Sequence, residues 1–317
     1  MKRLFILTFM LCCCMLQGFA EQYTDENGVT WTCNIDIEKD SACITGVSTC
    51  YEEMIIPEKI EFGTNWITVK AIGNDWFINV FEDKKILKKV ILPKTLTDIR
   101  ARVFKGCTNL SEINLENCTQ IRNEAFNGCN TLTENVVLDR INIIGENAFS
   151  SLEKITIKSI KVPSLGENCF DENTTIFVPK EAINAYKVAI NWKDHANHIL
   201  AIGVKTNYNV TATAQDKAPG LLMQLDKENL NNIITLKVSG TINGYDIMLF
   251  RNKMDNLHHL DLSDADIVAN PYEYYQGYCT KDNILGDYAF YDVQHLKSIS
   301  IPKSIKQIGE YTFGSCI

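Results

Sequence analysis

The sequence predicts a repeat solenoid that is mainly β, with irregular turns and a few short helices. The main observation is a recurring pattern in which an aliphatic residue is followed five positions later by phenylalanine, at Phe77, Phe104, Phe126, Phe149, Phe170, Phe290 and Phe313. The first five of these phenylalanines are 27, 22, 23 and 21 residues apart, and the last two are 23 apart. Such a period is the signature of stacked coils, because a unit this short cannot bury its apolar face without a neighbour.

The second observation is a short predicted strand that precedes most of these phenylalanines. In the stretch Leu110–Ile121, the residues Leu110, Ile113 and Leu115 follow the leucine-rich spacing, and Cys118 takes the Asn or Cys position of that pattern. The alternation of apolar and polar residues predicts a strand with one buried face. The same apolar spacing begins at Leu87, Leu152, Leu257 and Leu296.

The residues around each strand and each phenylalanine fit a tightly wound coil. Pro93 and Pro302 should end their strands, because proline has no N–H to donate to a neighbouring strand. A glycine four positions before several phenylalanines suits either a tight turn or a close approach of two backbones, and both readings stay open. The alanines directly before three of the phenylalanines leave room for the ring to enter the core; they are Ala125, Ala148 and Ala289.

Three cysteines share one position of the repeat, namely Cys107, Cys129 and Cys316. We expect a column of buried thiols there, because free cysteine packs as a small apolar residue. Equivalent residues on adjacent coils lie about 4.8 Å apart, which is within disulfide reach. A Cys107–Cys129 bridge, and partial pairing among Cys33, Cys43 and Cys50, therefore stay open as alternatives.

Four runs carry a resemblance to a known family; they are Ile99–Cys107, Ile121–Cys129, Ile144–Phe149 and Ile308–Cys316. They resemble the BspA-like class of leucine-rich repeats, and the phrase Ile299–Gly309, with its strand and proline, strengthens the match. The resemblance implies a leucine-rich repeat solenoid in most of the chain. It also implies a bacterial surface or secreted protein, because most members of the family are of that kind. Some family members adhere to host or bacterial partners.

Residues 1–20 are predicted to be a signal peptide. Lys2 and Arg3 precede an apolar run, Leu4–Leu16, and Gly18-Phe19-Ala20 offers a cleavage site with small residues. The apolar run is too short to span a membrane. We therefore expect an exported protein, extracellular or on the cell surface. A lipid anchor at Cys14 stays open, because Leu11 stands three positions before it.

The first repeat module is predicted to cover residues 21–203. Gly28–Thr49 has the alternation of a β-hairpin that caps the first coil, as terminal repeats require. Lys180–Asn191 carries Ala182, Ile183, Tyr186, Ala189 and Ile190 at helical spacing, and we expect a helical cap there.

The second module is predicted to cover residues 204–317. Helices are expected at Ala218–Leu230 and at Ile242–Met254, with a strand from Ile234 to Val238 between them. Val268–Asp282 reads as an insertion, which in repeat proteins maps to a loop on one face. No capping pattern follows Cys316, so we expect a fragment truncated at its C-terminus or an unusual end.

The net charge of the chain limits the classes of partner that we expect it to bind. The formal net charge of −8 becomes −10 once Lys2 and Arg3 leave with the signal peptide. Proteins that bind nucleic acid need a basic footprint, and this chain lacks one. It also has no polybasic segment for anionic lipid.

A catalytic site, a metal site or a cofactor site is not predicted. His195 and His198 lack a third ligand at a suitable spacing, and we read the histidines as ordinary surface residues. Paired acidic residues such as Asp264 and Asp266 read as solvated turn residues. Neither a glycine-rich phosphate loop nor a calcium loop is present, so no cofactor is expected.

The predicted partner-binding residues lie on the open face of the strands, between the buried positions. They are Lys89, Ile91, Glu112, Asn114, Lys154, Thr156, His259, Asp261, Ser298 and Ser300. We expect a polar face of mixed charge. A second candidate is the tyrosine-rich insertion, with Tyr272, Tyr274, Tyr275 and Tyr278. Tyrosine combines a rigid apolar ring with a polar tip, which suits contact with a protein or a glycan. The alternatives are a merely solvated sheet and rings packed back onto the coil.

The sequence as a whole favours a non-catalytic, exported leucine-rich repeat protein that mediates adhesion-type protein interactions. The partner is expected to be a protein or a glycan. Two alternatives stay open: a structural spacer within a larger surface protein, and a thiol-dependent hydrolase that uses Cys279 with a histidine.

Overall fold

The structure, a computed structural model, describes residues 20–316 except 75–79, 134–135 and 150. Residues 1–19 of the predicted signal peptide and Phe77 therefore lie outside the described residues, whereas Ala20 already belongs to the first strand. The chain divides into two compact units, of which the first ends at Ile202 and the second begins at Gly203. Each unit has its own cluster of buried apolar residues.

The first unit is built from short strands with one helical segment near its end. Its strands are β1 (Ala20–Thr24), β2 (Thr30–Asp36), β3 (Ser41–Val47), β4 (Glu53–Ile55), β5 (Lys59–Phe62), β6 (Asn65–Ile72), β7 (Lys89–Ile91), β8 (Asp98–Ile99), β9 (Glu112–Ile113), β10 (Gln120–Ile121), β11 (Val136–Leu138), β12 (Ile143–Ile144), β13 (Lys154–Ile157), β14 (Ser164–Leu165), β15 (Thr175–Val178) and β16 (Ile199–Ala201). The helical segment comprises a 3-10 turn (Lys180–Ala182), α1 (Ile183–Val188) and a 3-10 helix (Trp192–His198).

Parallel strand pairing joins the coils of the first unit in three sheets, which fall into two sets. The predicted strands form β4-β7-β9 and β11-β13-β15-β16. A second set of two-residue strands extends from β6 through β8, β10, β12 and β14. The aliphatic residue of each phenylalanine motif lies in this second set, where Ile99, Ile121, Ile144 and Leu165 are in register. The prediction identified the first set but missed the second.

An antiparallel cap precedes the first coil. β2 and β3 form the predicted hairpin, and β1 adds a third strand along β2. β3 then pairs in parallel with β6, which joins the cap to the coils. Trp31 on β2 is fully buried and meets Phe81 edge-on, with ring centroids 6.5 Å apart.

A continuous stack of phenylalanine rings forms the centre of the first unit. The centroids of Phe81, Phe104, Phe126, Phe149 and Phe170 follow one another at 5.5, 5.1, 5.1 and 6.0 Å, with rings within 16° of parallel. Phe81 holds the position that the sequence pattern assigns to Phe77. Phe81 lies 23 residues before Phe104, which matches the period of the following coils better than the 27 residues from Phe77.

The glycine of the motif allows two backbones to approach closely at Gly145 and Gly309, whereas Gly73 has a positive φ of 114°. A Cβ atom on Gly145 would lie 2.4 Å from the Asn123 nitrogen, and one on Gly309 would lie 2.4 Å from the Asp287 nitrogen. Neither glycine has a positive φ. Gly145 and Gly309 are therefore needed because the backbone of the neighbouring coil leaves no room for a Cβ atom, and not because of a left-handed turn.

The helical cap at the end of the first unit is interrupted and extends further than predicted, to His198. Asn191 adopts a left-handed conformation with φ 64° and separates α1 from the following 3-10 helix. Its side-chain nitrogen donates a hydrogen bond to the Leu165 carbonyl, 2.7 Å away. Tyr186 and Trp192 are buried beneath the cap, whereas Ile190, predicted on the same apolar face, is 83% exposed.

The second unit repeats this coil construction, and its parallel sheet has longer strands. Its strands are β17 (Asn207–Ala212), β18 (Thr235–Ile242), β19 (His259–Ile267), β20 (Asn270–Tyr275), β21 (Tyr278–Thr280), β22 (Ile284–Leu285), β23 (Ser298–Ser300) and β24 (Gln307–Ile308). The parallel sheet has the order β17-β18-β19-β23, and β22 pairs in parallel with β24. The predicted insertion contains the antiparallel hairpin β20-β21. In this unit too, phenylalanine rings stack: the ring centroids of Phe250, Phe290 and Phe313 follow one another at 6.4 and 6.0 Å.

One of the two predicted helices in the second unit is correct. α2 (Gly244–Asn252) begins at a capping box made by Asn243 and Asp246. The predicted helix at Ala218–Leu230 is instead two 3-10 segments, Gly220–Met223 and Lys227–Asn232. Asp246 accepts a hydrogen bond from the Leu221 nitrogen at 3.0 Å, so the first segment is fixed to the start of α2.

The nine cysteines within the described residues are free thiols. The repeated thiols each donate to a phenylalanine carbonyl of the preceding coil: Cys107 to Phe81 at 2.9 Å and Cys129 to Phe104 at 3.1 Å. The expected burial is confirmed for Cys107 and Cys129, whereas Cys316 is half-buried, and the Cys107–Cys129 bridge is not formed. Burial raises the pKa of the Cys107 thiol to about 12.

Candidate functional site

The first predicted surface lies on β4, β7 and β9 of the first unit. Glu53, Lys89 and Glu112 occupy one register row across these strands. The Lys89 ammonium lies 3.8 Å from the Glu53 carboxylate and 3.5 Å from that of Glu112. These exposed pairs each contribute well under about 1 kcal/mol to folding stability. They do fix an alternating charge pattern on the surface.

A cavity of 310 Å³ brings four predicted residues of this surface together. Lys89, Ile91, Glu112 and Asn114 all line it. Asn114 is held in place by the backbone of Leu92, since its Oδ1 accepts from the Leu92 nitrogen at 2.7 Å and its Nδ2 donates to the Leu92 carbonyl at 2.9 Å. Its amide therefore stabilises the coil turn, a role that strand alternation alone does not reveal.

The remaining predicted residues of the first unit lie on a different sheet. Lys154 and Thr156 are half-buried on β13. Thr156 is in register with Val137 on β11 and with Phe177 on β15. The prediction of a mostly polar face is wrong here, because an apolar side chain flanks Thr156 on each side.

The second unit presents a broader polar face on β17, β18, β19 and β23. One register row contains Asn207, Thr235, His259 and Ser298, and the next contains Asn209, Lys237, Asp261 and Ser300. The His259 Nδ1 and the Ser298 Oγ lie 2.9 Å apart. The structure thus brings together His259, Asp261, Ser298 and Ser300, the predicted residues of this unit's strands.

A charge network crosses the same face. The Lys237 ammonium lies 2.8 Å from the Asp264 carboxylate and 3.5 Å from that of Asp261. Lys303 lies 2.8 Å from Asp264 on its other side. Hydrogen bonds from Lys237 and Lys303 lower the pKa of Asp264 to about 2. Asp264 and Asp266 belong to β19 and are not turn residues, contrary to the sequence reading.

Lys237 was missed at the sequence level, although a signal for it exists. The predicted strand from Ile234 to Val238 has its apolar residues at alternate positions, which places Thr235 and Lys237 on the open face. Lys303 lacks such a signal, because it follows Pro302 after the end of β23.

The tyrosines of the insertion separate into buried and exposed groups. Tyr274 is 2% exposed and donates to the Asp287 carbonyl at 2.8 Å, so it is a core residue and not a contact residue. Tyr272 stacks on Tyr245 of α2 with centroids 3.7 Å apart. Tyr275 is half-buried, and Tyr278 is 36% exposed. The alternative in which rings pack back onto the coil thus holds for Tyr272 and Tyr274.

Three further tyrosines from the following coils pack beside Tyr275 and Tyr278; Tyr288 and Tyr291 are half-buried and Tyr311 is exposed. Tyr288 lies 5.4 Å from Tyr275 and 5.2 Å from Tyr278, measured between ring centroids. Tyr291 and Tyr311 each lie 5.3 Å from Tyr288. The sequence analysis missed them, although Tyr288 and Tyr311 share one repeat position, two residues before Phe290 and Phe313.

The residues considered for catalysis occupy structural positions. Cys279 donates to the Pro271 carbonyl at 3.2 Å. His195 packs edge-on against Phe170 and His258 is 2% exposed, so the reading of all histidines as surface residues is wrong for these two. In the part of the chain that the structure describes, no group of three His, Cys, Asp or Glu side chains could hold a metal ion. Nor does any helix there have the length and apolar character needed to cross a membrane.

Comparison with known families agrees with this geometry. Residues 48–178 and 281–317, more than half of the chain, match the BspA type leucine-rich repeat region in six copies. The chain belongs to this family. The match covers coils of both units and includes Phe81 to Phe170 of the first stack and Phe290 and Phe313 of the second.

Similar solved structures are also bacterial leucine-rich repeat proteins. A leucine-rich repeat protein from T. pallidum is 20% identical, with a TM-score of 0.42, and the alignment covers 72% of this chain and 87% of that one. A leucine-rich cell surface protein from Faecalibacterium prausnitzii is 16% identical over 92% of this chain and 73% of that one, with a TM-score of 0.38. A leucine-rich repeat protein from Bacteroides ovatus is 15% identical over 90% and 79%, with a TM-score of 0.33. The search of curated proteins finds no match.

Proposed function

We propose that this protein is a non-catalytic, exported protein of the bacterial surface that binds a partner protein through its solenoid, in an adhesion-type interaction. The observation that carries the proposal is the polar face of β17, β18, β19 and β23. Four parallel strands there hold two register rows of side chains that point away from the core. Repeat proteins use such extended surfaces to bind macromolecules.

The second unit suits this role better than the first. Its four-stranded sheet includes strands of six, eight and nine residues, which display a longer surface than the short strands of the first unit. In the first unit the corresponding strands are shorter and divide into two separate sheets. A protein interface that is stable and specific buries about 800 Å² on each partner, which favours the longer surface.

Export is part of the same proposal and rests on the N-terminal sequence. A basic start, a short apolar run and small residues at positions 18 and 20 form a secretory signal. The leucine-rich cell surface protein of Faecalibacterium prausnitzii supports this location by likeness only. The free thiols among the described residues are compatible with export, because burial protects most of them from oxidation.

The proposal is tested by measuring binding of the purified chain to a panel of extracellular matrix and bacterial surface proteins. We expect saturable binding to at least one of them. We expect a Lys237→Glu variant to weaken that binding about tenfold or more, because the substitution reverses the central charge of the face. Lys253→Ala, an exposed change after the end of α2, is the matched control and should bind normally. Absence of saturable binding across the panel would contradict the proposal.

A further inference from the structure

One tryptophan of the first unit differs from the other tryptophans that the structure describes. Trp31 is buried and donates its indole N–H to the Asp25 carboxylate at 2.9 Å. Trp192 is likewise buried and donates to the Pro163 carbonyl at 2.9 Å. Trp66, in contrast, is 55% exposed. A large aromatic side chain that remains in water on a regular strand is typical of a contact residue.

Trp66 lies on the outer face of the two-stranded ribbon β5-β6. Ile60 and Ile67, which pair across the ribbon, are 1% and 3% exposed and pack its inner face onto the core. Glu61 pairs with Trp66 in the next register position, so its exposed carboxylate shares the outer face with the indole. Side chains paired in this way have Cβ atoms about 5 Å apart. The core therefore does not require an aromatic residue at position 66.

Tyr23 of β1 supplies a second ring to this face. Its ring centroid lies 6.3 Å from that of Trp66, and the two rings meet edge to face at 74°. Tyr23 is half-buried and packs against the core of the first unit, which fixes its position. The contact still leaves more than half of Trp66 exposed, so an indole surface is open to a ligand.

The two rings lie in a negatively charged environment. Burial raises the pKa of the Tyr23 hydroxyl, and Asp25, Glu61 and Glu26 raise it further. Asp25 already accepts a hydrogen bond from the Trp31 indole. The carboxylates of Glu26 and Glu61 are exposed and can accept from a ligand. Carboxylates beside an open aromatic face favour a cation, because the face of the ring is itself negative.

The basic side chains of the ribbon act on a different carboxylate. Lys59 is on the same face as Glu61 but pairs in register with Thr68. Hydrogen bonds from Thr68 lower the pKa of Asp40, and the charges of Lys70 and Lys59 lower it further. These lysines thus compensate the charge of Asp40, and the carboxylate beside the indole remains available for a cation of the ligand.

Arginine is the cation that suits this arrangement best. Its planar guanidinium stacks on an aromatic face and at the same time presents donors in a fork that matches a carboxylate. A lysine ammonium has neither the plane nor the fork. A metal ion is not favoured, since no group of three ligating side chains occurs in the described part of the chain.

We propose that Trp66, Tyr23 and Glu61 form a site for an arginine side chain on an extended segment of a second partner protein, with the guanidinium stacked on the indole and paired with the Glu61 carboxylate. The site belongs to the first unit, whereas the polar face of β17, β18, β19 and β23 belongs to the second. The inference goes beyond the proposed function because the site has a ligand of its own. The partner of the polar face leaves Trp66 uncovered.

The test uses a random peptide library selected on the full purified chain and counter-selected on the variant Trp66→Thr. We expect the selected peptides to contain arginine and to bind the native chain about tenfold more tightly than the variant. Replacing that arginine with citrulline, which keeps the shape and removes the charge, should weaken binding by a similar factor. Glu61→Gln should weaken it about threefold and reduce its dependence on salt.

The Trp66→Thr variant should remain folded, because threonine suits an exposed strand position. Its melting temperature should lie within about 4 °C of the native value. Tyr51→Thr, at an exposed tyrosine of the same unit, is the matched control and should leave peptide binding unchanged. Binding of the surface protein that depends on Lys237 should also be unchanged in Trp66→Thr.

Four results would overturn the inference. They are selected peptides that lack arginine, equal binding of the arginine and citrulline peptides, binding to a glycan array that depends on Trp66, and a larger fall in the melting temperature of Trp66→Thr. The last result would show that the indole is a structural part of the ribbon. None of them affects the proposed function, which is tested through Lys237.

Discussion

Phe126 shows most clearly how a single residue supports the whole stack. Its ring lies 5.1 Å from Phe104 on one side and 5.1 Å from Phe149 on the other, and it is 1% exposed. Each near-parallel ring pair contributes about 0.5–1.5 kcal/mol beyond the burial of apolar surface. Loss of this ring therefore removes two pair interactions and leaves a cavity between coils.

We predict that Phe126→Ala lowers the free energy of unfolding by about 3–5 kcal/mol, the range for a large buried aromatic residue. Chemical denaturation followed by circular dichroism measures the change. Phe126→Leu is the matched control and should lower it by a smaller amount, because most of the volume is retained. A Phe126→Leu variant as stable as the native protein would show that ring stacking itself contributes little beyond the buried volume.

The buried thiols give a residue-scale prediction about reactivity. Only the thiolate reacts with alkylating reagents, and burial raises the pKa of Cys118 and of Cys169 to about 12. At pH 8 we expect iodoacetamide to modify the half-buried Cys50, Cys279 and Cys316 before the buried cysteines. Peptide mapping by mass spectrometry checks this order, and early modification of Cys118 would contradict it.

The same thiols predict how stability depends on pH. Their pKa values in the folded state lie above the ordinary value of 9.0, so the fold favours the protonated form. The associated stability is present below pH 9 and is lost as pH rises from about 9 towards 12, since unfolded thiols ionise first. Denaturation midpoints at pH 8 and pH 10.5 measure the loss. Cys118→Ala should reduce the pH dependence, and an unchanged slope would contradict this assignment.

The placement of Phe81 in the stack shows a limit of sequence reading at the residue scale. The motif of an aliphatic residue followed by phenylalanine fits Phe77, but the coil that precedes Phe104 is completed by Phe81. A local pattern cannot decide between two phenylalanines four residues apart. The choice depends on the ring of the next coil, which is a tertiary contact.

At the scale of elements, α2 depends on one buried carboxylate. Asp246 is fully buried, and its Oδ1 and Oδ2 accept from the Leu221 and Asn243 nitrogens at 3.0 and 3.1 Å. Desolvation raises the pKa of this carboxyl above its ordinary value. The group thus joins a 3-10 segment to the start of a helix, and it satisfies backbone donors that would otherwise be buried without a partner.

We predict that Asp246→Ala lowers the free energy of unfolding of the second unit by about 1–3 kcal/mol, the cost of leaving buried donors unsatisfied. Thermal denaturation of the variant measures the loss. Lys253→Ala, at the other end of α2, is the matched control and should change stability by less than about 0.5 kcal/mol. A loss no larger than that of the control would mean that water replaces the carboxylate.

Elements that rely on local pattern were predicted well, and those that rely on neighbouring coils were not. The strands around Val90, Ile155 and Ile299 follow from apolar alternation. The two-residue strands such as β10 were missed, because their pairing is defined only when the next coil lies beside them. The leucines of Ala218–Leu230 have helical spacing, but the carboxylate of Asp246 and the core hold that segment as two 3-10 turns.

On the scale of the whole molecule, the two buried clusters suggest two folding units. The first cluster extends from Val29 to Ile199 and the second from Val210 to Leu296. We propose that the boundary predicted near residue 203 separates modules that fold on their own. The match to the repeat family stops at residue 178 and resumes at residue 281, so the start of the second module is the less regular part.

We predict that a fragment of residues 20–202 folds without the second unit. Its antiparallel cap at one end and its helical cap at the other cover the terminal coils, as stable repeat arrays require. Circular dichroism and a cooperative thermal transition are the measurements. A fragment ending at residue 178 lacks the helical cap and is the control, which should be less stable. An unfolded 20–202 fragment would show that the modules depend on each other.

Much of the candidate site was predictable, because strand alternation alone identifies outward positions such as His259 and Ser300. The remainder depends on contacts between coils. The Asn114 side chain hydrogen-bonds to the backbone of Leu92, and Tyr274 is buried. Lys237 belongs to the polar face of the second unit, where it forms an ion pair with Asp264. The stacked rings of Tyr275, Tyr288 and Tyr311 come from residues that are 36 positions apart at most, and only the stacking of coils brings them together.

Hydroxyl-radical footprinting of the purified chain, alone and saturated with the surface protein that it binds, tests the central claim most directly. The account predicts that oxidation of His259 and Lys237 decreases in the complex, while oxidation of Trp66 in the first unit stays the same. Unchanged oxidation of the polar face of β17, β18, β19 and β23 in a saturated complex would contradict the claim that this face binds the partner.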